Sequence, residues 1–314
     1  MSRHILPIAA ALVLALAALD AQTAGSRRVA ITIDDGPVVN ELTDLGNFQR
    51  ITNGLVGSFQ IEKVPVTIFI NERQLNVPGQ RDARAATVEQ WLNAGFEVGN
   101  HTYSHKSASN VPVDQFQDDV VKGEVITRAI LEQRGKQLTW LRYPYLHSGA
   151  TAESHQAIVD FLELRKYRVA PVTVDYADYT FAGAYLRELR RGNVEMAERI
   201  KHAYLDQVDV GFAYAERYSM ELYGREIAQI LLIHCNELNS VSLRESIARM
   251  RKRGYAFISL DEAMMDPAYQ RPDSFAGSGG SWLSRSATVM GKTPTPETIA
   301  LRPSVPKWIT ELPN

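Results

Sequence analysis

The residues able to do chemistry fall into five short stretches. "TIDDGP" ends an apolar run in two adjacent carboxylates, Asp34 and Asp35. Neighbouring carboxylates repel each other and resist desolvation. Such a pair either caps a helix or turns to water, or it faces something positive. "HTYSH" carries His101 and His105. If that stretch is a helical turn, their spacing puts both imidazoles on one side, where they suit one metal ion; on a surface turn they are unrelated. "RYPY" supplies Arg142, a permanent cation that can hold a carboxylate ionised and in position. Its Pro144 stiffens the backbone, so that the N–H of Tyr145 can face a developing oxyanion. "VDYADY" offers Asp175 and Asp178, and "ILLIH" ends in His234, a general acid if one of those carboxylates keeps it protonated. One Asp with two His and open positions fits catalytic zinc. It equally fits the two-histidine, one-carboxylate triad of other divalent metals. On this reading one aspartate ligates the cation. The other takes a proton from a water on it, whose pKa the cation lowers.

These residues need elements to position them. β-branched runs at 29–33, 65–70, 96–100, 139–143, 167–174, 230–234 and 256–260 read as strands. Between them, stretches such as 85–93, 114–133, 152–164 and 242–253 repeat apolar residues at helical spacing, with Gly135 and Gly254 where helices should stop. Strand–helix alternation of this length predicts a parallel sheet, open or closed into a barrel. The chemical residues fall at the carboxyl ends of the strands, the edge where α/β folds build their sites. On the last of the site strands, Ile230 and Leu232 share a face. Residues 180–225 form a long connection of helical pattern. From residue 266 the chain is rich in Pro, Gly and Ser and is expected to wrap the domain, not to form a second one.

The rest of the composition mainly excludes. A net charge of -2 and a pI near 6.4 leave no basic footprint for nucleic acid. Cys235 is the single cysteine, so neither an intramolecular disulfide nor a Cys-rich zinc site is available. Arg3 and His4 precede an apolar run, residues 5–19, followed by small and polar residues. That is the layout of an export signal, and the run is short for a membrane span. Residues 1–24 are therefore expected to be a signal peptide and the mature protein periplasmic or extracellular, with no stable membrane span. Residues 25–265 make the catalytic domain and 266–314 an extension packed on it. Nothing in the sequence speaks to oligomeric state.

Taken in order, TIDDGP, HTYSH, RYPY, DYADY and the I-x-L-x-H ending at His234 resemble the five motifs of the polysaccharide deacetylase family, carbohydrate esterase family four, over roughly residues 28–262. The resemblance implies a distorted (β/α) barrel of about seven parallel strands, a divalent metal, usually Zn2+, and an acetylated glycan as substrate. It implies roles for single residues. Asp34 would be the general base, oriented by Arg142. Asp35, His101 and His105 would ligate the metal. The Tyr145 N–H would help stabilise the oxyanion. His234, tuned by Asp178, would protonate the leaving amine. Ile230 and Leu232 would line the pocket for the acetyl methyl, and Tyr179 would form a pocket wall. Three features depart from the family pattern: Ile33 replaces an aromatic, Tyr179 replaces a common Trp, and the connection to Ile230 is long. That connection is expected to cap the substrate entrance; His147, just past RYPY, is a further polar group that either supports or faces the site or else lies on the surface. The same barrel also hosts amidases of small molecules, and a non-catalytic sugar-binding relative would have lost the base or a ligand.

Overall fold

The computed structural model describes residues 27–39 and 44–313; the expected export signal, residues 1–24, lies outside them. β1 (Arg27–Gly36) is the organising strand, and it is buried along nearly its whole length. It pairs with β2 (Val66–Ile70), β6 (Gln229–His234) and β7 (Tyr255–Phe257), and β3 (Glu97–Asn100), β4 (Trp140–Leu141) and β5 (Arg168–Val169) continue the sheet beyond β2. Every pairing is parallel. The near-continuous apolar runs of β1, β2 and β6 are what a parallel sheet covered on both faces requires. Past β5 the chain reaches β6: Thr173 N donates to Ile230 O at 2.9 Å, and Leu232 N to Val174 O at 3.0 Å. These bonds close the sheet irregularly into a distorted (β/α) barrel.

All seven expected strands form, but β4 and β5 shrink to two residues each. Pro144 and Pro171 have no N–H to give to a ladder, and the chain leaves β4 through a 3₁₀ turn, Pro144–Leu146. The helices are α1 (Leu45–Glu62), α2 (Arg81–Asn93), α3 (Val113–Lys122), α4 (Val125–Glu132), α5 (Ala152–Leu164), α6 (Asp178–Arg190), α7 (Val194–Tyr223), α8 (Glu237–Lys252) and α9 (Leu260–Met264). The 114–133 stretch breaks at Gly123, where a Cβ would lie 2.4 Å from the Thr102 carbonyl carbon. The histidine loop crosses too closely there for any other residue.

The long connection is a helix pair, α6 and α7: α6 reaches the pocket wall through Tyr179 and Ala182, while α7 supplies none of the lining residues. α7 lies along the outside of the barrel, with Phe212 against Tyr255 at 4.6 Å between ring centres and Tyr204 against both Tyr176 and Phe181. The last part of the chain forms α10 (Trp282–Val289), α11 (Pro296–Ala300) and α12 (Lys307–Thr310), with Trp282, Leu283 and Ile309 buried. Among the described residues, no helix is long and apolar enough to cross a membrane.

Candidate active site

A regular strand would send Asp34 and Asp35 to opposite faces. β1 avoids this with a bulge: its register with β2 slips between Ile33 and Gly36, and Asp35 takes a left-handed φ of 59°. Both carboxylates thus face one pocket of about 620 Å³ at the carboxyl ends of the strands, together with His101, His105, Tyr145 and His234. Left-handed conformations recur around it at Thr102, His105, Tyr145, Leu146 and Ala177. Each is costly for a residue with a Cβ, so the loops must be held there by their contacts.

The histidine stretch is not a helical turn, contrary to one of the two sequence readings. It is an irregular loop. Asn100 Oδ1 accepts from Thr102 N at 2.7 Å, Thr102 Oγ1 from His105 N at 3.1 Å, and Asp119 takes both Ser104 N and Ser104 Oγ. Asn71 Nδ2 donates to the His101 carbonyl at 2.6 Å. These bonds, not helical period, aim both rings at Asp35. His105 Nε2 lies 3.4 Å and His101 Nε2 3.6 Å from Asp35 Oδ1.

The ligand atoms of Asp35, His101 and His105 lie within 4.8 Å of one another. The His101 Nδ1 sits 2.9 Å from the Arg142 carbonyl, which only accepts, so the proton is on Nδ1 and the Nε2 lone pair points to the pocket. Burial pushes the pKa of His101 well below the ordinary imidazole value, helped by His105 beside it, and burial also lowers that of His105 against the pull of Asp35. Two neutral imidazoles and one carboxylate with open directions fit a divalent ion such as zinc.

Arg142 is fully buried. Its Nη2 donates to Thr32 Oγ1 at 2.8 Å and its Nη1 to Asp34 Oδ2 at 3.4 Å, while the guanidinium lies 4.8 Å from the centre of the Phe69 ring. Asp34 Oδ1 is buried with no hydrogen-bond partner among the described residues. An orphaned carboxylate oxygen is expensive unless a ligand completes it. Burial pushes the Asp34 carboxyl up to about 6; Arg142 and His234 pull it down and Asp35 adds to the rise.

Asp34 and His234 are register partners on β1 and β6. Asp178, not Asp175, supplies the carboxylate to His234. Its Oδ1 takes His234 Nδ1 at 2.7 Å, and its Oδ2 takes the His234 N, Asn236 Nδ2 and Asn239 Nδ2 at 2.9, 3.1 and 2.7 Å. Asp178 is the first residue of α6, where the helix dipole favours a negative charge. Burial lowers the His234 pKa, but Asp178 outweighs it and lifts the value to about 10. As a proton donor, His234 would work below its pKa and fail as pH rises through about 10. In Asp178→Asn only the weaker pull of Asp35 and Asp34 opposes burial, so the alkaline limb of the rate moves toward lower pH. An unmoved limb in a pH–rate profile would show that another group sets it. By linkage, the pair's contribution to folding is complete below the ordinary imidazole pKa and is lost as pH climbs through about 10.

Of the remaining expected residues, Leu232 and Tyr179 line the pocket, and so does Asp175, whose carboxylate also accepts from Ala177 N. Ile230 does not: it sits deeper on β6, fully buried in the core, with its carbonyl spent on Thr173 N. His147 binds Ser107 Oγ at 2.7 Å and is not among the lining residues. The N–H groups of Leu146 and His147 are used on Tyr143 and Pro144 carbonyls. The sequence reading missed Asn236 and Asn239, although their N-x-x-N spacing at the start of a helix after "ILLIH" was a capping signal. It also missed the extension's part. Gly280 lines the pocket, Ser148 Oγ donates to Phe275 O at 2.8 Å, and Arg285 holds the Leu146 carbonyl next to Tyr145.

Comparison with known proteins follows this layout. The polysaccharide deacetylase family model matches residues 21–162, which take in the first three motifs. The peptidoglycan-N-acetylglucosamine deacetylase PgdA of Listeria monocytogenes is 20% identical over 239 residues, 76% of this chain and 39% of that protein. The peptidoglycan-N-acetylglucosamine deacetylase of Bacillus cereus is 29% identical over 118 residues, 37% of this chain and 36% of that one. The chain therefore spans about two fifths of the length of these relatives. In fold, it matches the chitin deacetylase of the fungal pathogen Colletotrichum lindemuthianum with a TM-score of 0.52, at 20% identity, over 76% of this chain and 88% of that one. These matches support a polysaccharide deacetylase relationship, carried by residues 21–162.

Proposed function

We propose that this protein removes N-acetyl groups from a glycan, outside the cytoplasm and with a bound divalent metal. The observation that carries the reading is the convergence of three units on one pocket: the Asp35–His101–His105 cluster, the Asp34–Arg142 pair and the Asp178–His234 dyad. A divalent cation on that cluster, zinc by the family resemblance, would polarise the acetyl carbonyl and acidify a water.

The chain's own groups supply the rest. Asp34 Oδ1, free of partners, accepts the water's proton, while Arg142 keeps Oδ2 in place. The Tyr145 N–H donates to the carbonyl oxygen as charge collects there. His234, its Nδ1 bound to Asp178, donates from Nε2 to the leaving nitrogen, without which an amine cannot depart. Leu232 stands against the acetyl methyl. The pocket mouth favours a glycan over a small enclosed amide. No residue of α7 closes it, and Tyr145 and Tyr179 stand 58% and 56% exposed at its walls, as flat surfaces for sugar rings. The names of the curated relatives support an N-acetylglucosamine-containing substrate, and the N-terminal basic and apolar run supports export.

The test is acetate release by metal-reconstituted protein from chitooligosaccharides, peptidoglycan fragments, acetylated exopolysaccharide and small amides. Turnover is expected on the N-acetylated glycans. Turnover confined to small amides would overturn the substrate class, and none on any of them would favour a sugar-binding role.

A further inference from the structure

We propose that Tyr204, on the outer helix α7, is a positioning residue for the proton donor His234, acting through Asn239 and Asp178. This rests on the reading of His234 as the donor. The chain of contacts is short and directed. Tyr204 Oη lies 2.5 Å from Asn239 Oδ1. Asn239 Nδ2 donates to Asp178 Oδ2 at 2.7 Å and to the His234 carbonyl at 2.8 Å. Asp178 Oδ1 holds His234 Nδ1 at 2.7 Å.

The direction of each bond follows from chemistry. A carboxylate and a carbonyl only accept, so the Asn239 amide must turn its NH2 toward them. Its oxygen then faces Tyr204, whose hydroxyl must donate. Both residues are about 1% exposed, so water cannot take over either role. Without the hydroxyl, the buried amide oxygen loses its donor among the described residues. Flipping offers no escape, because it would aim that oxygen at Asp178. The amide that grips both the carboxylate of the dyad and the backbone of His234 is thereby loosened, and polar networks of this kind act as a unit.

The sequence context makes the assignment informative. α7 belongs to the long connection between the fourth and fifth motifs and contributes nothing to the pocket lining. Its link to the chemistry is this hydroxyl. The Tyr204 ring is fixed independently, against Tyr176 and Phe181 at 5.9 and 6.1 Å between centres, so Tyr204→Phe removes the hydroxyl and keeps the packing.

The experiment compares two substrates in the metal-loaded enzyme: an N-acetylglucosamine oligomer, whose amine must be protonated to leave, and 4-nitrophenyl acetate, whose phenolate leaves without a proton. The readout is the ratio of kcat on the amide to kcat on the ester, with KM, metal content and thermal midpoint measured alongside. His234→Ala is expected to lower that ratio by about a hundredfold. Tyr204→Phe should lower it by about fivefold, the worth of one net hydrogen bond, with amide KM unchanged. Asn239→Ala should lower it further, and adding Tyr204→Phe to Asn239→Ala should then cost almost nothing. If Tyr204→Phe slows both substrates equally, or neither, while His234→Ala stays selective, the inference is overturned and the donor reading stands. If His234→Ala itself leaves the ratio unchanged, the donor reading falls and takes the inference with it.

Discussion

Asp34→Asn is expected to lower kcat by about a thousandfold, within the range set by losing a general base, while the protein still binds its metal. The side chain keeps its size, and its amide oxygen can accept from Arg142 as Oδ2 does now at 3.4 Å. The NH2 group then occupies the place of Oδ1, the oxygen that is buried and unpartnered. A donor replaces that unpartnered acceptor, and no proton can be taken. The metal cluster is untouched, because Asp35, His101 and His105 are the three residues whose ligand atoms converge. Metal content should therefore stay stoichiometric while acetate release collapses. Stability should fall as well, since the fully buried Arg142 keeps its hydrogen bonds but loses the carboxylate charge that offsets its own. Retained turnover would remove Asp34 as the base. In the wild-type enzyme the rate should rise with pH as Asp34 loses its proton, at or below about 6, since a bound cation would pull the value down further. The asparagine variant should lack that limb.

The fold was readable because its strands are apolar runs and its chemical residues stand where those runs end. What could not be read was how irregular backbone re-aims them. The alternation rule places Asp34 and Asp35 on opposite faces, and only the bulge and the left-handed Asp35 bring them together. The spacing of His101 and His105 suggested a helical turn, but an Asn100–Thr102–His105 bond relay does the same work in a loop. Ile230 shares a face with Leu232, yet two residues along a strand is a full layer of depth, and only Leu232 reaches the pocket. Helix α1 was overlooked although Phe48, Ile51, Leu55 and Phe59 keep helical spacing after the Asp44 cap. The contacts of Tyr204 with Asn239, and of the C-terminal extension with the loop after β4, join residues far apart in the chain, and no local pattern announces them.

His105→Ala should lose metal and activity together. Three protein ligands are few for a tightly held divalent ion, and each supplies a large share of the affinity. Removing the imidazole leaves His101 and Asp35, with the Nε2 of His101 still 3.6 Å from Asp35 Oδ1 but no third donor on that side. Alanine raises one ambiguity. His105 has a φ of 58°, and alanine is less at ease there than asparagine, so a collapsed loop could mimic a lost ligand. His105→Asn separates the two. It tolerates the left-handed turn and keeps the bond from its N to Thr102 Oγ1, but offers no imidazole. If the loop merely needs its shape, the asparagine variant holds metal and turns over. If the ring is a ligand, both variants are metal-poor at metal concentrations that saturate the wild type, and excess metal restores part of the asparagine variant's activity before the alanine variant's. Stoichiometric metal in both would mean that His105 is not a ligand, and the cation site would have to be sought elsewhere around Asp35.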